Sequence, residues 1–572
     1  MKPAVKHHYS PLFFLRSTNV LRSTDELAAS WIAAALALAL LIFIGWPLMT
    51  MLMMTVKSAD HHYIGLANWS AMVAEPRLRD ATWNSVLLAV VTVCTVLPIA
   101  LAFAFAITRT TMVWRNFFRV IALAPMLAPS LMPAISLVYL FGNQGLLKGW
   151  MGGSSIYGSI GIVMGEIFYT FPHALLILIA ALSMADARLY EAAESLGASK
   201  LRRFWTITLP NARYGIVSAG MVVFTLVVTD FGVPKVIGGQ INVLALEAYK
   251  QVIGQQNFSK GAVVGGMLLL PAVLSFAVEQ WLSRHKSANM TGRSVVYKPS
   301  RNWLRDVVLF VLCAAVSIFV LALLGVAGAA SFIKLWPYDM SLTWSHFDFD
   351  QLDGSGWQAF RNSMQLAFWT TLFGTSFIFI TAYLLIKMPV PRAVATTIRS
   401  LAILPMAVPG MVLGLGYIFL FNDPVNPLHR LYGTMAILVI ATIAHFYTTA
   451  HLTMVTTLRQ IDAEIEAVAR SLRRPWWFTM VRVTIPMSLP ALLDVARYLF
   501  VSSMTTVSCV IFLYTPDTVL AGVAVLNMDD AGDTASAAAM ASLIVVSSLL
   551  VTLLMNSAGR WLNRHGQAWR LT

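Results

Sequence analysis

Charge is scarce in this sequence: 12% of its 572 residues are Asp, Glu, Lys or Arg, against 58% that are hydrophobic. Soluble globular domains carry about a quarter charged and about half apolar residues, so the shortage excludes an ordinary aqueous fold and calls for a lipid solvent. Cysteine is almost absent. Cys94, Cys313 and Cys509 fall inside long apolar stretches without metal-ligand spacing, which excludes a disulfide framework and leaves them as small core residues. The short alternating segments of a membrane barrel are missing, so the crossings are expected to be helices. Missing too are a G-x-x-x-x-G-K-[ST] phosphate loop, an H-E-x-x-H pair, a nucleophile elbow and paired intramembrane aspartates. Nothing in the chain therefore points to catalysis, a metal site or a cofactor of its own.

What is present is a series of apolar runs. Taking about 20 residues per crossing, twelve can be marked: Leu27–Val56, Asn84–Ile107, Val120–Phe141, Ile160–Leu182, Ile216–Val233, Ala262–Trp281, Val307–Ala327, Ser363–Ile386, Leu401–Phe421, Met435–Leu458, Leu489–Phe512 and Ala537–Met555. Lys2, Lys6, Arg16 and Arg22 precede a first run too long for a signal-peptide core, which reads as an uncleaved helix. The net charge of +14 lies in the gaps between runs, a pattern that orients a membrane protein and gives no reason to expect nucleic acid as a partner. With both termini cytoplasmic, most Lys and Arg lie inside, among them Arg188, Lys200, Arg202, Arg203 and Arg213 in one loop. The opposite loops are acidic, with Asp348, Asp350 and Asp353 in one and Asp529, Asp530 and Asp533 in another.

The chain also repeats itself at a separation of about 278 residues. Asn84-Ser85 opens one span and Asn362-Ser363 another, and Phe168-Tyr169-Thr170 with His173 recurs as Phe446-Tyr447-Thr448 with His451. Pro125 and Pro129 correspond to Pro405 and Pro409, and Ser195-Leu196 with Pro210 to Ser471-Leu472 with Pro486, with small indels between blocks. The expected fold is an all-α polytopic membrane protein of about twelve helices in two parallel six-helix repeats. Its divisions are a cytoplasmic segment 1–26, a first half 27–282, a linker 283–302, a second half 303–558 and a cytoplasmic tail 559–572. Parallel repeats related by an axis along the membrane normal build a path between them.

Between the fourth and fifth spans runs Tyr190-Glu191-Ala192-Ala193-Glu194-Ser195-Leu196-Gly197-Ala198-Ser199, then Leu209-Pro210. Helix formers lead to Gly197, which can end a helix through positive φ. The second copy, Ile465-Glu466-Ala467-Val468-Ala469-Arg470-Ser471-Leu472-Arg473-Arg474-Pro475, places Glu466 one residue early and Arg473 where the glycine stands. That puts its break geometry in doubt, with Pro475 as a second candidate for the break. The first loop resembles the "EAA" loop of permeases in binding-protein-dependent ABC importers, and the whole chain resembles their fused double permeases of the ferric-iron and phosphonate group. The resemblance implies the type I ABC importer permease fold in a bacterial inner membrane. It implies that Glu191, Ala192, Ala193 and Gly197, with Glu466, Ser471 and Leu472, couple the chain to two ABC ATPase subunits on the cytoplasmic side. ATP would be bound by those partners, and an extracytoplasmic solute-binding protein would deliver a small molecule.

Polar residues at membrane depth are candidates for the path. Glu166, Tyr169 and His173 lie on one helix face at i, i+3 and i+7, Tyr447 and His451 repeat part of it, Asp230 stands near the outer end of the fifth span, and Thr505, Thr506 and Ser508 occupy the related region of the eleventh. Each has an equally good structural reading, as a hydrogen-bond partner to a neighbouring helix. Asp494 and Arg497 read as a pair, and Asn84 and Asn362 as helix-start caps. The runs Met504 to Tyr514 and Ala524 to Asp533 resemble the 2-aminoethylphosphonate branch, with ferric iron as the competing cargo. A carrier driven by an ion gradient is a further alternative, for which Glu166 and Asp230 would supply coupling acids.

Overall fold

Two prolines in each half decide where the chain departs from straight helices. The computed structural model describes residues 24–58, 62–183, 186–286, 299, 301–351, 356–462 and 464–566. The first half contains α1 (Thr24–Met54), α2 (Pro76–Arg109), the bent pair α3 (Arg115–Leu127) and α4 (Leu131–Phe141), and α5 (Ser159–Ser183). A surface helix α6 (Ala187–Ser195) follows, then α7 (Lys200–Thr229), the short α8 (Gly232–Ile237) and α9 (Leu244–Tyr249), and α10 (Phe258–Lys286). The second half repeats the order with α11 (Trp303–Ala330), a small hairpin β1 (Ile333–Leu335) and β2 (Asp339–Leu342), α12 (Gly356–Lys387), the bent pair α13 (Arg392–Ala407) and α14 (Gly410–Phe421), and α15 (Met435–Gln460). It closes with α16 (Glu464–Ser471), α17 (Trp476–Thr505), α18 (Ala521–Asp530) and α19 (Thr534–Gly566).

Among the described residues ten helices are long and apolar enough to cross a membrane, or twelve if each bent pair is one crossing. The expected third and ninth spans are these pairs, bent by 104° and 115°. The cause is local. Ala128 and Val408 precede Pro129 and Pro409, and a residue before proline is driven out of the helical region; both adopt extended backbone, at ψ 143° and 118°. The fifth and eleventh spans end earlier than expected, at Thr229 and Thr505, because Asp230 and Thr506 are extended. Helix α19 continues into the stretch expected to be a tail. The basic N-terminal residues, Asp353 and most of the expected linker lie outside the described residues. Cys313 and Cys509 are buried as expected, but Cys94 is exposed on α2.

The halves interlock reciprocally. Helix α1 packs on α14 of the second half, where Tyr417 donates a hydrogen bond of 2.6 Å to the Phe43 carbonyl, and any side chain at Gly416 would meet Pro47. Helix α11 packs on α4 of the first half, where Ser136 donates to the Leu323 carbonyl at 2.7 Å. Lipid gives apolar faces no reason to associate, so close packing and buried hydrogen bonds of this kind must hold the helices together.

Candidate functional site

The two surface helices α6 and α16 present the same shape. Asp186 and Asp462 cap their starts, accepting from the Arg188 and Glu464 amides at 3.1 and 3.0 Å. Both end in the Schellman pattern: Ala198 N–H donates to Ala193 O and Arg474 N–H to Ala469 O, each at 2.9 Å. That pattern needs a left-handed residue, and Gly197 and Arg473 supply it at φ 71° and 52°. The break therefore survives the loss of glycine, and Pro475 begins the next helix instead of making the break.

Glu466 is not the counterpart of Glu191. From cap to cap the two loops run 276 residues apart, which pairs Glu466 with Tyr190 and leaves Glu191 opposite Ala467. Tyr190 and Glu466 both face inward onto a buried cation at the end of α2 or α12. Arg109 donates to the Leu182 carbonyl and lies 5.0 Å from the Tyr190 ring; Lys387 donates to the Ile461 carbonyl at 2.7 Å and pairs with Glu466 at 3.3 Å. One loop is seated by a cation–π contact and the other by an ion pair. Their outward faces carry Glu191, Ala192, Leu196 and Gly197 in one and Ala467, Val468, Ser471 and Leu472 in the other, while Ala193 is half-buried. Leu196 and Leu472 are 86% and 68% exposed, apolar knobs at equivalent positions.

At the opposite end of the molecule, the Asn-Ser pairs do not cap their own helices as expected. Ser85 and Ser363 accept from the amides of Leu244 and Ala521, both at 2.8 Å, and so cap α9 and α18 from a distance. Asn84 and Asn362 donate to the Asn242 and Val519 carbonyls beside them. At that end Lys235 of the first half pairs with Asp530 of the second at 3.0 Å, and Tyr139 bonds Thr534.

The matched Phe-Tyr-Thr and His of α5 and α15 are not structurally equivalent. The buried faces of these helices superpose at a separation of 276 residues: Ile162 with Leu438, Gly165 with Ala441, Glu166 with Thr442, Ala174 with Ala450, Leu178 with Met454 and Leu182 with Leu458 are all buried. Tyr447 and His451 thus occupy the places of Phe171 and Leu175, stacked 5.2 Å apart inside the second half. Tyr169 and His173 are half-buried, 5.9 Å apart, and the counterpart of Tyr169 is His445.

The structure brings Glu166, Tyr169 and Asp230 together. Glu166 is fully buried, with no hydrogen-bond partner for either oxygen. Its carboxyl lies beside that of Asp230, which accepts from the Val233 amide at 2.8 Å. Tyr169 is within electrostatic reach of both acids and, across the seam, of Tyr498 on α17. His173 turns back to the Tyr169 carbonyl. Thr505 bonds its own helix, Thr506 approaches Cys509, and Ser508 lies against Gly410, so none of the three joins this group. Asp494 and Arg497 are a pair, at 3.1 Å. Tyr498, His445, Lys235 and the buried cations were not singled out in the sequence; the signal for Arg109 and Lys387 was a lone basic residue closing each of two long apolar runs.

Comparison with known proteins agrees with this duplicated geometry. The family described as binding-protein-dependent transport system inner membrane component matches residues 96–287 and again 374–565. The ferric transport system permease protein of Actinobacillus pleuropneumoniae is 27% identical over 470 residues, covering 79% of this chain and 67% of that protein. A putative 2-aminoethylphosphonate transport system permease protein of Salmonella choleraesuis is 28% identical over 225 residues, 39% of this chain and 82% of that protein. Among solved structures, one chain of a bacterial alginate ABC transporter aligns at 17% identity and a TM-score of 0.38, covering 47% of this chain and 99% of that one.

Proposed function

We propose a transport role with ferric iron as cargo for this chain, which belongs to the family of binding-protein-dependent transport system inner membrane components. It is a duplicated, multi-pass permease of an ABC importer in the inner membrane. In our reading, two ATPase subunits grip α6 and α16, an extracytoplasmic binding protein delivers the cargo at the end bearing Lys235 and Asp530, and both termini are cytoplasmic. The division into two halves joined near residues 283–302 and flanked by cytoplasmic ends belongs to the same reading.

The observation that carries the coupling role is the pair of matched helices, each stopped by a left-handed residue and each exposing a leucine at the same place. An exposed leucine on a rigid helix gains free energy when a partner covers it. Closing motion of two ATPases would move α6 and α16 together, and Arg109 and Lys387 tie that motion to α2 and α12, the helices that carry the distant Asn-Ser clamps. Alternating access follows if rocking the halves breaks and remakes the Lys235–Asp530 contact.

The choice of cargo rests on coverage. The ferric relative aligns through both halves, whereas the 2-aminoethylphosphonate relative aligns with 39% of this chain. Phosphonate, first favoured by the residues of the eleventh and twelfth spans, becomes the second reading. Uptake of radiolabelled ferric iron and of labelled 2-aminoethylphosphonate, measured in cells expressing the permease with its ATPase and binding protein, separates them. Iron accumulation supports the proposal; phosphonate accumulation without iron overturns it.

A further inference from the structure

We propose that Glu166 and Asp230, with the phenols of Tyr169 and Tyr498, form an oxygen-donor transit site for a hard trivalent cation at the seam between the halves. The inference rests on the ferric reading and names where that cargo is held during passage.

Glu166 is 0% exposed and neither of its oxygens has a hydrogen-bond partner. A carboxyl in that condition at membrane depth is costly and calls for an explanation. Helix packing does not provide one. In the 276-residue register the second half has Thr442 at the place of Glu166 and Thr506 at that of Asp230, both buried, so the fold accommodates hydroxyls at these positions. The acids are particular to the first half, and they sit together. Asp230 is oriented by the Val233 amide and by Ser130, which leaves a carboxyl edge toward Glu166.

The phenols complete the donor set. Tyr169 lies within reach of both acids and of Tyr498, and both tyrosines are only half-buried. A route to them exists: Thr449, Thr453 and Thr456 expose a hydroxyl stripe along α15, and Thr449 lies beside Tyr498. Two carboxylates and one or two phenolates are hard oxygen ligands suited to a small, highly charged cation. The same acids repel the phosphonate group of an aminophosphonate. Each carboxyl or phenol that binds the ion releases its proton to water in the seam. Among the described residues no group of three His, Cys, Asp or Glu is gathered, which fits a site that must release its ion.

The purified full-length permease in lipid nanodiscs is titrated with ferric nitrilotriacetate, reading the visible charge-transfer absorption of an iron phenolate. The wild type should develop the band, Tyr169→Phe should weaken it, and Glu166→Gln with Asp230→Asn should weaken binding at least about tenfold, since loss of even an outer-shell partner costs roughly 10–100-fold in metal affinity. Glu166→Asp should retain most of it, and Tyr338→Phe, on the exposed hairpin, should change nothing. Thermal melting of each variant identifies loss of fold. A band that is absent in the wild type, or that persists in the folded double variant, overturns the inference whatever the cargo. Iron uptake in cells separates the two failures: uptake with no band leaves the ferric reading standing, and uptake of a polyamine or of 2-aminoethylphosphonate in place of iron removes that reading.

Discussion

Gly197 and Arg473 hold the same left-handed backbone, at φ 71° and 52°, though one has no side chain and the other a long one. The left-handed region costs a residue with a Cβ about 1–2 kcal/mol, so the second surface helix keeps its shape at a disadvantage that the first avoids. Arg473→Gly is therefore expected to stabilise α16 by about 0.5–1 kcal/mol, seen as slower hydrogen exchange in that helix. Gly197→Val, which forces a β-branched residue into positive φ, is expected to distort α6 and to lower transport and ATPase stimulation together. Normal values of both in a folded Gly197→Val protein would show that the helix end does not transmit force.

Breaking the pair beneath α16 should be costly. The Lys387 and Glu466 side chains are 4% and 10% exposed, and removing one partner of a buried pair leaves an uncompensated charge worth about 3–5 kcal/mol. Lys387→Met is expected to destabilise by about that much, and Lys387→Met with Glu466→Leu by clearly less than the two single losses combined. Thermal unfolding of the four proteins supplies the cycle.

A second pair of contacts exchanges its members between halves. A Cβ at Gly232 would collide with Ser130 Oγ, and a Cβ at Gly410 would lie 2.7 Å from Ser508 Oγ. Serine faces glycine in both halves, with the helix that carries each reversed. Gly232→Ser alone should lose about 1–3 kcal/mol through overpacking, and adding Ser130→Gly should recover most of it by copying the second half. A double variant no more stable than the single would contradict the equivalence.

At the end away from the surface helices, burial and then neighbouring Asp530 push the Asp529 carboxyl up to about 6, while Lys235 acts in the opposite direction. A raised acid binds its proton more tightly in the folded state, so its contribution to stability is greatest below the ordinary carboxylate range and is lost as pH rises through about 6. Melting temperature should therefore rise between pH 7 and pH 5, and Asp529→Asn should flatten that part of the profile. An unchanged profile in the variant would assign the effect to another group.

The sequence disclosed the membrane class, the duplication and the surface loops because each rests on local signals: apolar length, identical residues at one spacing, and a helix ended by Gly197. It misplaced what depends on three dimensions. Phe446-Tyr447-Thr448 matches Phe168-Tyr169-Thr170 letter for letter, yet an indel of two residues before α15 rotates Tyr447 and His451 into the interior. Glu466 looked like a displaced Glu191 because identity was compared without the direction a side chain takes from its cap. Asn84 and Asn362 looked like caps of their own helices, and proved to hold chain about 158 residues away; no short-range pattern records that. The bends at Pro129 and Pro409 were in principle readable, since the prolines had been noted, but apolar length outweighed them.

The central claim is that a separate motor drives this permease through α6 and α16. It is tested most directly by iron uptake into proteoliposomes holding the permease with its ATPase subunits and binding protein, with ATP enclosed or omitted. The account predicts uphill uptake that needs enclosed ATP and is lost when Leu196 and Leu472 are both changed to arginine. Uphill uptake by the permease alone, on a proton or sodium gradient, would contradict it.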